Sequence, residues 1–90
     1  MIWTDSHGFI ELNITKAQAH TGHHQGPCDR DIAELRRLPS IKKQLDRLDP
    51  ARVREVLRDY GAWDQVELSD HDANLDRILW IACGDIVENL

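Results

Sequence analysis

The stretch Leu68-Ser69-Asp70-His71-Asp72-Ala73-Asn74-Leu75-Asp76-Arg77-Ile78-Leu79-Trp80-Ile81-Ala82-Cys83-Gly84-Asp85-Ile86-Val87-Glu88-Asn89-Leu90 decides the fold. Leu68, His71, Leu75, Ile78, Leu79, Ala82 and Ile86 recur at steps of three and four, the period of one helix face. Trp80, Ile81, Val87 and Leu90 lie off that stripe, so the segment is apolar on more than one side around Leu79 to Cys83. A helix of that kind is expected at the centre, with other helices wrapped on it. Ser69 to Asp72 reads as a capping box with Asp in the Glu position, and residues 62–89 read as mostly helical.

Three further helices precede it. Asp29 reads as the N-cap of a helix running to about Leu38, with Ile32, Leu35 and Leu38 on one side. Pro39 breaks that helix, and Ser40 is expected to cap the next, whose apolar positions are Ile41, Leu45 and Leu48. Asp49-Pro50 is a cap followed by proline at the first helical position. It opens a helix carrying Val53, Val56, Leu57 and Tyr60, closed by Gly61. Trp63 is expected to plug the junction that follows, before Asp64 caps the next turn. Trp63 and Trp80 read as core, and Trp3 as the exposed or interfacial tryptophan.

Towards the N-terminus the period changes. Ile10 to Thr15 alternates apolar and polar, as a half-buried strand does. Its partner is either Ile2-Trp3-Thr4, reached through the turn-like Asp5-Ser6-His7-Gly8, or the same strand of a second copy, which would make a homodimer. Thr15 to Gln18 fits a capping box for a short helix that runs to about His20 and stops at Gly22. The expected architecture is a mostly α, single small domain of four or five helices with a short N-terminal strand or hairpin. Residues 1–15 form the strand or hairpin, 16–28 a short helix and loop, and 29–90 the helical core.

Ninety residues leave room for one core. The opening residues lack the basic start and apolar run of a signal peptide, and no stretch approaches the roughly 20 apolar residues that span a bilayer. The expected setting is the cytoplasm, with no membrane partner and with Cys28 and Cys83 as thiols. Net charge is −5, unevenly spread: residues 1–29 carry −2, residues 30–58 carry +4 and residues 59–90 carry −7. A basic middle and an acidic tail either pack side by side and neutralise each other or face outside partners.

Three sets of residues could carry function. His20, His23, His24 and Cys28 cluster in one short loop, and imidazole and thiolate are zinc ligands. Their spacing supplies half of a zinc site, and the fold must bring the remaining ligands. Asp70, Asp72 and Asp76 could present negative charge to a basic protein partner, and Ile10, Leu12 and Ile14 could offer it the short strand, with Trp3 as an interfacial residue. Arg36, Arg37, Lys42, Lys43 and Arg47 are the residues a nucleic acid would meet. Against that reading, acids intervene and the whole chain is acidic, so nucleic acid is not the expected partner. No paired acids, triad or phosphate loop stands at a recognisable spacing, so the chain reads as a non-enzyme.

Cys28-Asp29-Arg30-Asp31, Gly61-Ala62-Trp63-Asp64 and Asn74 to Ala82 resemble segments of small uncharacterised proteins from bacterial phages, prophages and plasmids, and the likeness spans most of the chain from His24 onward. The resemblance implies an accessory protein of a mobile element that acts by protein–protein interaction, for instance by inhibiting a host system. It carries over no catalytic residue. A small zinc-binding domain and a nucleic-acid binder are the two alternative readings.

Overall fold

The computed structural model describes residues 1–22, 29–60 and 68–88, and within them a two-stranded hairpin and five helices. Strand β1 (Ile2–Thr4) pairs antiparallel with β2 (Glu11–Asn13), in the register Ile2 to Asn13, Trp3 to Leu12 and Thr4 to Glu11. The strand thus finds its partner within the chain. Asp5 builds the connection. Its buried carboxylate accepts from the Ile10 N–H at 2.6 Å and the His7 N–H at 2.9 Å, while Gly8 takes the positive φ of +72° that the turn requires.

Helix α1 (Lys16–Gly22) opens with the capping box in full. The Gln18 N–H donates to Thr15 Oγ1 at 3.1 Å, and the Thr15 N–H donates to Gln18 Oε1 at 2.8 Å. Helix α2 (Asp29–Arg36) contributes Ile32 and Leu35 to the core. Helix α3 (Pro39–Leu45) begins two residues earlier than expected. Pro39 occupies the first helical position and Leu38 the N-cap, without a side-chain cap, so Ser40 lies inside the helix. Proline's missing N–H is an orphan there in any case, and its fixed φ is already helical. Helix α4 (Pro50–Asp59) starts as expected, the Asp49 carboxylate accepting from the Ala51 N–H at 3.1 Å. Its far end is capped by Tyr60; Gly61 and Trp63 lie outside the described residues.

Helix α5 (His71–Glu88) is the centre. It packs against α1, α2, α4 and β1, and its Leu75, Ile78, Leu79, Ile81, Ala82, Cys83 and Ile86 are buried. Its N-cap is Asp70 rather than Ser69: the Asp70 carboxylate accepts from the Ala73 N–H at 3.1 Å and its carbonyl from the Asn74 N–H at 3.0 Å. The fully buried Asn74 is satisfied at both ends, donating to the Leu68 carbonyl at 2.8 Å and accepting from Arg77. Among the described residues no helix is long and apolar enough to cross a membrane.

The tryptophans reverse the expectation. Trp3 is 6 % exposed and belongs to the core, whereas Trp80 is 43 % exposed. Trp3 faces inward because the pleat puts it on the same side as Leu12, against α5. Trp80 falls on the helix face shared by Ala73, Asp76, Arg77 and Gly84, none of which is buried.

Candidate interaction site

The charged segments of the sequence meet where α2, α3 and α5 converge. Arg36, at the last position of α2, turns its guanidinium onto α5. One nitrogen pairs with the Asp76 carboxylate at 3.0 Å, and the other pairs with Asp72. The bond to Arg36, then its charge, holds the Asp72 carboxyl below the usual carboxylate range. The same hydrogen bond, donated by Arg36 to Asp72, raises the Arg36 pKa, against partial burial, with Asp76 adding to the effect. The basic middle and the acidic tail neutralise each other at this point.

Beside the pair lies a cleft of about 430 Å³. Ala33, Arg36 and Arg37 line it from α2, Lys42, Leu45 and Asp46 from α3, and Asp76 from α5. Leu45 is buried, so the base is apolar, while the exposed Arg37 and Lys42 stand at the rim. Among the described residues neither Arg37 nor Lys42 has a carboxylate within ion-pair distance. Lys43 and Arg47 are exposed and line no part of the cleft. The five cations therefore do not form one strip: Arg36 is committed to α5, two are at the rim and two lie outside it.

The acids and the hairpin also have internal roles. Asp70 caps α5, and Asp72 and Asp76 hold Arg36. Ile10, Leu12, Ile14 and Trp3 form the inner face of the hairpin and are buried in the chain's own core. The physical reason is the short hairpin itself, which becomes stable only by packing that face on helices. Of the loop ligands, His20 is exposed on α1, and His23, His24 and Cys28 lie outside the described residues. No group of three or more metal-ligating side chains occurs among the described residues.

Two polar contacts escaped sequence reasoning. The Trp3 indole N–H donates to Asp85 Oδ2 at 2.9 Å, and Tyr60 approaches the same oxygen at 3.4 Å. The Gln44 side chain reads the edge of β2: its Oε1 accepts from the Asn13 N–H at 2.6 Å and its Nε2 donates to the Asn13 carbonyl at 2.9 Å. Neither has a local sequence signal, since each depends on how distant elements approach.

The chain matches no protein-family model, no curated protein and no solved structure.

Proposed function

We propose that the protein is a non-catalytic interaction module that docks a protein partner at the cleft between α2, α3 and α5 through an acidic segment of that partner. The resemblance to accessory proteins of mobile elements supports an interaction role. The sign of the partner comes from the charges. One observation carries it: Arg37 and Lys42 flank an apolar-based cleft with no intramolecular counter-ion among the described residues, while Asp72 and Asp76 are already held by Arg36. A basic partner would meet the single open carboxylate of Asp46 unless it displaced Arg36, whereas an acidic one meets two open cations. Such charges act mainly on encounter rate and selectivity, so the interaction should weaken with salt.

Fluorescence anisotropy with a labelled poly-glutamate peptide, beside a DNA oligonucleotide of equal charge, tests this. The peptide should bind at low salt, and R37E together with K42E should remove binding, whereas K43E together with R47E should leave most of it. Absence of peptide binding at low salt rejects the reading. Binding of the oligonucleotide alone, lost in K43E with R47E, would favour nucleic acid instead.

A further inference from the structure

The two long edges of the hairpin are unlike. The Ile14 N–H donates to the Met1 carbonyl at 2.9 Å and the Asp5 N–H to the Ile10 carbonyl at 3.3 Å. With the observed register, these bonds make Trp3 and Leu12 a hydrogen-bonded pair and turn the backbone groups of Ile2, Thr4, Glu11 and Asn13 outward. On the β2 side, both groups of Asn13 are taken by Gln44. On the β1 side, the N–H and C=O groups of Ile2 and Thr4 meet no partner among the described residues, and the Ile2 side chain is 65 % exposed. The guards that usually protect a free edge are missing as well: Ile2-Trp3-Thr4 contains no charge, no proline and no bulge.

We infer that β1 is a self-association edge, and that its occupant is β1 of a second copy, running antiparallel across a two-fold axis at Trp3. The symmetry selects the occupant. Two donors and two acceptors lie evenly about Trp3, so in an antiparallel copy Ile2 exchanges both backbone bonds with Thr4 of the partner subunit, and Thr4 does the same with Ile2 of the partner subunit. All four open groups of each strand are then satisfied. The side chains agree with this register. Ile2 and Thr4 point to the exposed face, and each meets a β-branched neighbour across the new pair. No charged side chain on β1 opposes the approach, and the exposed Met1, beside Ile2, adds apolar surface. The product is a four-stranded antiparallel sheet, β2-β1-β1-β2, with the helices of both copies on its inner face.

Sedimentation equilibrium over a concentration series, with amide exchange followed by NMR on the same samples, tests this. The mass should move from monomer towards dimer as concentration rises. Exchange at the Ile2 and Thr4 amides should slow in step, while the outward amide of Glu11 on the opposite edge keeps its rate. Thr4→Pro removes an outward donor at an edge position that tolerates proline, and should abolish the dimer with the circular dichroism spectrum intact. If Thr4→Pro does not fold, the native exchange data decide alone. A monomer at every concentration, or a dimer whose Ile2 and Thr4 amides exchange at the monomer rate, would overturn the inference.

Discussion

Arg36 and Asp76 stand 40 positions apart in the chain and 3.0 Å apart in the fold. With Asp72 they join the end of α2 to the first turns of α5, and so fix the wall of the cleft. The contact also decides which charges remain for a partner. A chain of net charge −5 pairs two of its acids with Arg36 and leaves Arg37 and Lys42 unpaired at one cleft among the described residues.

Arg36→Met should lower stability only slightly at neutral pH, by no more than about 1 kcal/mol, because the pair is screened by solvent. The pH dependence has a definite sign. The folded Asp72 carboxyl titrates below its unfolded counterpart, so its contribution is present above the unfolded range and is lost as pH falls through the folded value. Thermal melts of the native chain and of Arg36→Met should therefore converge on acidification. A gap that stays constant from neutral to strongly acid solution would show that Arg36 acts through packing alone.

Asp85 should be a sensitive position of α5. Asp85→Ala leaves the Trp3 indole N–H in a buried site without its acceptor and should cost about 1–3 kcal/mol in urea unfolding, with Asp85→Asn costing less. The chain has one tyrosine, which makes the effect readable by ultraviolet titration. Burial, then the nearby charges of Asp85 and Asp5, raise the Tyr60 pKa, so its phenol should ionise later than free tyrosine and shift back in Asp85→Asn. A raised folded value means that this contribution is complete at lower pH and disappears as pH climbs through it.

Gln44→Ala should expose the outer edge of β2. The Asn13 N–H and carbonyl both lose their partner, and a loss of about 1–2 kcal/mol is expected. Amide exchange at Asn13 should accelerate more than at Leu12, whose bonds run to β1. Equal acceleration at both sites would mean that the hairpin detaches as a unit.

Cys83 should be inert while the protein is folded. Burial pushes its thiol up to about 11, so almost no thiolate exists at neutral pH. In a Cys28→Ser background, iodoacetamide should label Cys83 only as fast as the fold opens, and denaturant should accelerate labelling in parallel with unfolding. The raised value favours the folded state below the free-thiol range, and that preference fades as pH rises towards about 11. Labelling of native protein at the free-thiol rate would contradict this burial.

Features governed by neighbours in sequence could be read from the sequence alone. The Thr15–Gln18 capping box, the Asp49-Pro50 start and the alternation from Ile10 to Ile14 all use rules that span a few residues, and each appears as expected. Features that depend on the meeting of distant elements could not. Trp3 has the amphipathic ring of an interfacial residue, but its indole nitrogen finds Asp85, and the ring is buried with it. Trp80 is as apolar as its neighbours, and only its angular position on α5 turns it outward.

The candidate site divides along the same line. The notion that basic and acidic segments would pack together needed only the charge layout. That Arg36 is the residue making the junction, leaving Arg37 and Lys42 beside it uncovered, required the crossing of three helices. Pro39 is a smaller instance: a chain breaker for α2 and an ordinary first residue for α3 are the same residue read from its two sides. The cluster of His23, His24 and Cys28 falls outside the described residues.

The reliance of the hairpin on α5 sets an order of events during protein synthesis. Strands of three residues have no independent stability in water, and the side chain that anchors β1 finds its acceptor 82 positions later. The hairpin is therefore made before the helix that anchors it, and settles only after that helix. Until Asp85 has left the ribosome, α3 can lie against β2 but Trp3 has neither its acceptor nor the helix β1 packs on, and in that interval the nascent chain presents it to chaperones and proteases.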